Sequence, residues 1–194
     1  MLTLVDYNAG NVTSLLYALK RLGAEVQVSS DPDVLGKASK IIFPGQGAAG
    51  AGMDVLKDRG LVEVLQKTRV PFLGICLGMQ LLFESSEEDE SKGLALVPGR
   101  VNRFENKNFK VPHMGWNLVK YSGELPLFKG IPDESFFYFA NSYKAPLGEA
   151  TQGVTFYGEP FSSVIQKNNL FGVQFHPEKS GEMGLKLLSN FLAL

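Results

Sequence analysis

Cysteine and histidine are scarce in this sequence of 194 residues, which contains one cysteine, Cys76, and two histidines, His113 and His176. A single cysteine excludes an intrachain disulfide and any metal site built from a cysteine cluster. Two histidines argue in the same way against a histidine-rich metal site. We therefore expect a protein that binds no metal, needs no cofactor and keeps its one thiol reduced.

Neither charge of one sign nor long apolar runs dominate the chain. Nineteen Lys and Arg residues against 20 Asp and Glu residues leave a net charge of −1, which argues against a nucleic-acid binder that relies on phosphate contacts. The longest charge-free apolar stretch, about Val70 to Phe83, is shorter than the ~20 residues of a membrane span. The N-terminus also lacks the basic region typical of a signal peptide. These features indicate a cytoplasmic enzyme or binding module, and the length favours one domain over residues 1–194.

Apolar residues recur with alternating strand and helix periods in the first half of the chain, and the second half is richer in strand signals. This alternation predicts an α/β fold with a central, mostly parallel sheet flanked by helices, and with additional antiparallel strands in the second half. Ligands bind beyond the carboxyl ends of such strands. We expect the acidic run at 84–90 to be a solvent-exposed loop. The predicted strands are 2–5, 25–28, 40–43, 71–75, 111–119, 135–143, 151–157, 162–166 and 170–175, and the predicted helices are 11–22, 61–67, 77–83 and 184–194.

Cys76 lies between two glycines in Gly74-Ile-Cys-Leu-Gly78, after an apolar strand and before a predicted helix. This is the pattern of a nucleophile elbow, in which small neighbours relieve crowding at a sharp turn. The start of the following helix would favour the thiolate, and the N–H of Leu77 could hold an oxyanion. The alternative interpretation is a buried structural cysteine.

His176 ends a predicted strand in Gly172-Val-Gln-Phe-His-Pro-Glu178, and Glu178 follows two residues later. Residues i and i+2 of an extended chain face the same way, and Pro177 disfavours a helix at His176, so we expect the carboxylate to orient the imidazole. The imidazole would then deprotonate Cys76 and protonate a leaving amine. The alternative is a histidine that merely caps a loop, but the separate cysteine elbow favours the catalytic interpretation.

A third candidate is the turn Pro44-Gly-Gln-Gly47, which follows a buried strand. Glycine permits positive φ, so the backbone N–H groups of Gly45, Gln46 and Gly47 could turn toward a bound anion. The turn is therefore a candidate for the second half of an oxyanion hole. The alternative is an ordinary glycine-rich turn.

Together, Gly74-Ile-Cys-Leu-Gly-Met-Gln80 and Gln174-Phe-His-Pro-Glu178 resemble the motifs of the class I (triad) glutamine amidotransferases. Other segments are similar to those of the glutaminase subunits of imidazole glycerol phosphate synthases, from the first strand to the last helix. The resemblance implies a three-layer fold and hydrolysis of glutamine to glutamate and ammonia. It also implies a heterodimer in which a separate cyclase subunit uses the ammonia in histidine biosynthesis. These other segments are Asp6-Tyr-Asn-Ala-Gly-Asn11, Pro44-Gly-Gln-Gly47, Pro112-His-Met-Gly-Trp-Asn117, Phe137-Tyr-Phe139 with Asn141-Ser-Tyr143, and His176-Pro-Glu-Lys-Ser180.

The resemblance assigns a role to each matching residue. It implies that Cys76 forms a γ-glutamyl thioester, that His176 is the general base and acid, and that Glu178 orients His176. A buried core tryptophan is the alternative for Trp116. The other implied roles are oxyanion donors (Leu77, Gly45, Gln46, Gly47), glutamine-binding residues (Gln80, Glu88, Ser142, Tyr143), and residues facing the cyclase near the ammonia route (Asn11, Trp116, Lys179).

Three residues depart from the pattern of the resembled family: Asn8 stands where glycine is usual, Gln46 where valine is usual, and Asn141 where histidine is frequent. None of them belongs to the triad, and we expect no triad role for His113. The alternatives are a related subunit that supplies ammonia to a different synthase, a free-standing cysteine hydrolase, and a non-catalytic binding subunit. Gln80 and the His-Pro-Glu motif argue against the hydrolase, and the complete triad argues against the binding subunit.

Overall fold

The computed structural model of the protein describes residues 1–7, 12–105 and 109–194. Its helices are α1 (Thr13–Arg21), α2 (Pro32–Gly36), α3 (Ala49–Asp58), α4 (Leu61–Lys67), α5 (Leu77–Gln80) and α6 (Gly181–Leu192). Its strands are β1 (Leu2–Val5), β2 (Val26–Ser29), β3 (Lys40–Phe43), β4 (Phe72–Ile75), β5 (Phe83–Ser86), β6 (Ser91–Lys92), β7 (Val97–Arg103), β8 (His113–Tyr121), β9 (Ser135–Asn141), β10 (Tyr143–Lys144), β11 (Thr151–Tyr157), β12 (Glu159–Lys167) and β13 (Leu170–Val173).

The main sheet has the strand order β2-β1-β3-β4-β13-β12-β11-β8-β9. The first five strands pair in parallel, and each following strand is antiparallel to its neighbour. This arrangement confirms the predicted mixed α/β sheet: β1 to β4 come from the first half of the chain, the antiparallel strands come from the second half, and β13, near the C-terminus, pairs in parallel with β4. A smaller sheet of order β10-β7-β5-β6 packs beside it.

Alternate residues of the parallel strands bury opposite faces of the main sheet. In β3, Ile42 packs into a core that includes α1 and α6, whereas Ile41 and Phe43 pack into a second core that includes α2, α3 and α4. Period-2 alternation between two apolar faces is what a sheet covered on both sides requires. Helices therefore cover both faces of the parallel part, which gives the three layers that the resemblance implied.

Register brings the three candidate segments to one edge of this sheet. Strand β13 lies beside β4 with Val173 opposite Ile75, and β3 lies on the other side of β4 with Phe43 opposite Gly74. Because parallel strands end at the same edge, the residues that follow β3, β4 and β13 come together there. These are the Pro44 turn, Cys76, and the segment that contains His176.

The structure corrects several sequence-based assignments between residues 49 and 103. The predicted helix 77–83 ends at Gln80, and Phe83 begins strand β5, because the apolar run that continues from Leu81 fits either period. The predicted loop 84–90 is wrong, since it forms most of β5 and a 3₁₀ turn at Glu88–Glu90. Helix α3 and strand β7 were not predicted; the alanine- and glycine-rich start of α3 carries a weak helical signal.

Candidate active site

Cys76 occupies a strained turn between β4 and α5. Its backbone has φ 52° and ψ −110°, a positive φ that non-glycine residues rarely adopt and that clusters at functional sites. The flanking glycines make the turn possible, because a Cβ on Gly78 would lie 1.8 Å from the carbonyl oxygen of Phe43 and one on Gly74 would lie 2.8 Å from that of Gly78. The Cys76 N–H donates to the Val173 carbonyl over 2.8 Å, which fixes the elbow to β13. The predicted nucleophile elbow is therefore present in the backbone geometry.

His176 and Glu178 form a buried pair beside this turn. The imidazole Nδ1 lies 2.9 Å from Glu178 Oε1, and both side chains are at least 95% buried, with exposures of 3% and 5%. The backbone that produces this contact differs in part from the prediction, which assumed an extended chain at both residues. His176 is extended, but Glu178 lies in a 3₁₀ turn, Pro177–Lys179, that brings its carboxylate to Nδ1. The pairing predicted from the His-x-Glu spacing is present.

The surroundings of His176 favour its charged form. Burial by itself disfavours the imidazolium, but the Cys76 sulfur and the Glu178 carboxylate outweigh burial and raise the pKa of His176 to about 10. The Cys76 sulfur contributes to this rise through charge and through a hydrogen bond to the ring. His176 is therefore protonated at neutral pH and places a positive charge beside the Cys76 sulfur. Helix α5 has four residues, so its dipole adds little to the positive potential at the Cys76 sulfur compared with the charge of His176.

His113 has the opposite environment, and it lies away from the triad. Its ring stacks between Tyr157, with centroids 4.0 Å apart, and Phe139, with centroids 4.8 Å apart. Burial lowers the pKa of His113 to about 4, so it is neutral at pH 7. His113 is a core histidine in an aromatic stack, in agreement with its exclusion from the triad.

A cavity of about 420 Å³ opens above the Cys76 sulfur. This volume lies in the range of small-molecule sites. Its lining contains polar side chains from five different segments of the chain, which is what recognition of a small polar molecule requires. The residues from the predicted site that line it are Gln46, Gly47, Cys76, Leu77, Gln80, Glu88, Ser142, Tyr143, His176 and Lys179.

Gln80 is held firmly in this cavity wall. Its side-chain amide nitrogen donates to the Tyr143 carbonyl over 3.0 Å and to Gln174 Oε1 over 2.9 Å. Both N–H donors are thus used within the protein, which leaves the carbonyl oxygen Oε1 to face a ligand. An acceptor oxygen suits an ammonium group and not a carboxylate.

Glu88 carries the only carboxylate among the residues that line this cavity. Burial raises its pKa, while a hydrogen bond from the Ala49 N–H, 2.8 Å long, opposes that rise. One oxygen, Oε2, is used by Ala49, so the other oxygen is left for a ligand. Ser142 and Tyr143, also predicted to bind glutamine, line the cavity wall where β9 leads into β10.

The Pro44 turn packs directly against the elbow. A Cβ on Gly45 would lie 2.7 Å from Leu77 Cβ and 2.8 Å from the Gly78 nitrogen, so a larger residue would push the two turns apart. Gln46 and Gly47 line the cavity, and Gly47 has a φ of 112°. Of the four predicted oxyanion residues, Leu77, Gln46 and Gly47 therefore face the cavity, and Gly45 forms the contact behind them.

Of the predicted interface residues, Lys179 lines the cavity and Trp116 contacts the same tyrosine ring as Lys179. Trp116 is 55% exposed, so the buried-core alternative for it is wrong. Its ring packs edge-on against Tyr138, with centroids 6.1 Å apart, and the Lys179 ammonium lies 5.9 Å from the Tyr138 centroid on the same ring. Asn11 and Asn8 lie outside the described residues.

Two residues of the site carry contacts that sequence reasoning missed. The Gln174 amide donates to Cys76 Sγ over 3.7 Å, and through Gln80 it links the sulfur to the cavity wall. Ser180 Oγ donates to the His176 carbonyl over 2.6 Å and accepts from the Tyr138 N–H over 3.0 Å. Both residues lie in motifs that carry the resemblance, Gln-Phe-His-Pro-Glu and Pro-Glu-Lys-Ser, but the sequence predicted no role for either of them.

Across residues 1–7, 12–105 and 109–194, no helix is both long and apolar enough to cross a bilayer.

The chain matches known proteins over almost its entire length. The family model described as glutamine amidotransferase class-I matches residues 3–194. The chain is 48% identical to imidazole glycerol phosphate synthase subunit HisH of Maridesulfovibrio salexigens over 202 residues, covering 98% of this chain and 95% of that protein. It is 45% identical to the subunit of the same name of Bacillus cereus strain AH187 over 196 residues, covering 98% and 93%.

Solved structures share the fold at lower identity. A crystal structure of a glutamine amidotransferase has a TM-score of 0.76 and 18% identity, covering 98% of this chain and 97% of that one. The glutaminase domain of Trypanosoma brucei CTPS with bound acivicin has a TM-score of 0.70 and 16% identity, covering 99% and 93%. These two likenesses concern the fold, and the family follows from the sequence matches. The chain belongs to the class I glutamine amidotransferase family and, within it, to the HisH family of imidazole glycerol phosphate synthase subunits.

Proposed function

We propose that the chain is the glutaminase subunit of imidazole glycerol phosphate synthase, a single amidotransferase domain of residues 1–194 that hydrolyses glutamine to glutamate and ammonia. The observation that carries this proposal is the buried Cys76–His176–Glu178 constellation, with Cys76 at a strained elbow below a polar cavity. A strained nucleophile, a base and an orienting acid together are the arrangement of acyl-transfer chemistry. The HisH relatives are named as subunits of imidazole glycerol phosphate synthase, which supports the assignment to that enzyme.

The reaction proceeds in two acyl-transfer steps. The Cys76 thiolate attacks the side-chain amide carbon of glutamine, so a C–S bond forms and an electron pair moves to the amide oxygen. When this oxyanion collapses, the C–N bond breaks and the His176 imidazolium gives its proton to the nitrogen, which leaves as ammonia. Neutral His176 then takes a proton from water, whose oxygen attacks the thioester. The C–S bond breaks, glutamate leaves, and the thiolate–imidazolium pair is restored.

We assign the oxyanion to the backbone donors on either side of the sulfur. The Leu77 N–H follows the nucleophile, and the segment from Gly45 to Gly47 packs beside it, with Gln46 and Gly47 in the cavity lining. Such donors contribute most when they already point at the position where charge develops. Rotation of a peptide in this segment would complete or break the hole, so we propose it as the element through which the partner stimulates hydrolysis.

We assign the two ends of glutamine by charge. The Glu88 carboxylate and the Gln80 carbonyl oxygen suit the α-ammonium group, because both are acceptors in the cavity wall. The wall at Ser142 and Tyr143 suits the α-carboxylate. This places the side-chain amide of glutamine toward Cys76.

An exposed apolar face beside the cavity suits a partner subunit. Paired residues of β8 and β9 share this face, since Trp116 lies opposite Tyr138 and Leu118 lies opposite Phe136. Met114, on the same face, also lines the cavity, so the face and the cavity mouth are continuous. We propose that the cyclase subunit docks here, with Lys179 and Asn11 near the route that ammonia takes. Patches of this kind mark protein interaction sites. Because the mechanism needs a reduced Cys76, we propose that the complex acts in the cytoplasm.

Release of glutamate from glutamine by three mixtures tests this proposal. The mixtures are the purified chain alone, the chain with the cognate cyclase, and both with the nucleotide substrate of the cyclase. We expect low activity alone and a rise of about tenfold or more in the complete mixture, as an allosteric coupling requires. High activity of the chain alone would indicate a free-standing hydrolase. No activity in any mixture would indicate a different partner or a binding role.

A further inference from the structure

The oxyanion segment is tied to the substrate cavity at its downstream end. Pro44 to Gly47 lead through Ala48 directly into helix α3, whose N-cap makes no side-chain cap of its own. The first helical N–H, that of Ala49, donates instead to Glu88 Oε2 over 2.8 Å. A helix N-terminus needs such acceptors because its first N–H groups have no partner within the helix. Glu88 therefore supplies, from a distant segment, the cap that Ala48 does not provide.

The Glu88 turn is itself held rigidly against this helix. The Glu88 N–H donates to Ser86 Oγ over 3.1 Å, and Ser91 Oγ donates to the Glu88 carbonyl over 2.9 Å. Asp89, which follows Glu88, packs on α3 at Gly50, since a Cβ on Gly50 would lie 2.9 Å from Asp89 Cβ. These contacts fix the backbone of the Glu88 turn against the start of α3.

Glu88 is also part of the lining of the cavity that contains Cys76, and Oε1 is the carboxylate oxygen that Ala49 does not use. A ligand ammonium and the helix N-terminus both carry positive charge, so one carboxylate between them is attracted to both. The separation of the two oxygens allows both contacts at once.

We propose that Glu88 is a positioning residue that couples occupancy of the ammonium subsite to the orientation of the oxyanion segment. The inference rests on the proposed function, which assigns the α-ammonium of glutamine to Glu88. When the ammonium binds one oxygen, the other oxygen is fixed on Ala49, and the start of α3 holds Gln46 and Gly47 in the catalytic position. Part of the binding energy of a remote group of the substrate is then used at the reacting centre.

Three substitutions separate the two contacts. Glu88→Gln keeps an acceptor oxygen for Ala49 but removes the charge that holds the ammonium. Ala49→Pro removes the N–H donor but keeps the Glu88 charge, and proline is tolerated at the first helical position after an extended residue such as Ala48. Glu88→Ala removes both contacts. Each variant is assayed for glutamate release in the complete mixture with cyclase and nucleotide.

The proposal predicts a split between KM and kcat. Glu88→Gln should raise KM for glutamine by about tenfold or more and also lower kcat, because the ammonium no longer fixes the carboxylate that holds Ala49, whereas Ala49→Pro should lower kcat by about tenfold with little change in KM. Glu88→Ala, which removes both contacts, should have the largest effect. With 4-carbamoylbutanoate, which is glutamine without its amino group, the wild-type kcat should fall to that of Glu88→Gln, and Glu88→Ala should lose kcat further.

Two controls separate this role from a loss of folding. Glu90→Gln removes the same charge two residues away, from an exposed side chain paired with Arg100, and should leave both constants unchanged. Far-UV circular dichroism and thermal unfolding show whether each variant folds; if Ala49→Pro does not fold, the comparison of the two substrates with the wild-type protein decides. A wild-type kcat for 4-carbamoylbutanoate equal to that for glutamine would overturn the coupling, while wild-type glutamine hydrolysis would leave the proposed function intact. Absence of wild-type hydrolysis would overturn both.

Discussion

At the scale of single residues, the reactivity of the site depends on one buried charge pair. Cys76 is 6% exposed, so its sulfur is stable as a thiolate only with a nearby cation. His176 supplies that cation because Glu178 and the sulfur raise its pKa to about 10, against the effect of burial. Glu178 thus contributes charge as well as orientation to the imidazole.

Glu178→Gln tests this contribution. Loss of the carboxylate removes a negative charge that raises the pKa of His176 and leaves only a neutral amide oxygen to accept from Nδ1, so the pKa falls toward its ordinary value. We expect kcat for glutamine to drop about 100-fold. At saturating glutamine in the complete mixture, the alkaline decline of the wild-type kcat should centre near the His176 pKa of about 10. In the variant it should begin at a lower pH, and an unchanged alkaline limb would contradict the role given to Glu178.

At the scale of elements, the oxyanion segment is a short bridge between β3 and α3 with an anchor at each end. The downstream anchor is the contact between Ala49 and Glu88. The upstream anchor is Tyr7, whose buried hydroxyl donates to the Pro44 carbonyl over 2.7 Å. Burial, together with the charge of Cys76, raises the pKa of Tyr7, so this hydroxyl keeps its proton and remains a donor. The plane of the peptide that follows Pro44 is therefore fixed by Tyr7, two residues after the end of β1.

Tyr7→Phe removes the upstream anchor with almost no change of shape. The buried Pro44 carbonyl loses its partner, which should cost about 1–2 kcal/mol of unfolding free energy, measured by urea denaturation. Looser oxyanion donors should lower kcat about tenfold and leave KM almost unchanged. Tyr17→Phe, on an exposed tyrosine of α1, is the matched control. A kcat equal to that of the wild-type protein would show that the hydroxyl does not hold the segment.

The elements that the sequence predicted best are those in which the chemistry is local. The elbow at Cys76 and the spacing of His176 and Glu178 depend on a few adjacent residues, and the structure brings them together as expected. Parallel strands such as β1 and β3 have continuous apolar runs with turn residues after them, so they were found with nearly correct limits.

What the sequence did not predict depends on distant contacts. No turn signal in the sequence separates strand β5 from α5. The strand forms because it pairs with β7, and its own hydrophobic period does not predict it. The cap that Glu88 provides to α3 joins residues 39 positions apart. The role of Gln174 depends on β13 lying beside β4. No local pattern contains such information, since it is set by tertiary packing.

At the scale of the whole molecule, the proposed hydrolytic site and the proposed docking face lie in different halves of the main sheet. The parallel half of the sheet holds the triad and the oxyanion segment at its carboxyl edge, whereas the antiparallel half presents the exposed face of β8 and β9. Tyr138 joins the two, because its carbonyl accepts from the His176 N–H over 2.8 Å while its ring contacts Trp116 and Lys179. A partner docked on this face would thus lie one residue away from the catalytic base.

The most direct test of this division is synthesis of imidazole glycerol phosphate by the complex of Cys76→Ala with its cyclase, with glutamine or with ammonia as the nitrogen source. The account predicts that the variant abolishes synthesis from glutamine, because no thioester can form, and retains synthesis from ammonia, because the partner reaction and the docking face are intact. Retained synthesis from glutamine, or loss of synthesis from both sources in a folded, assembled complex, would contradict it.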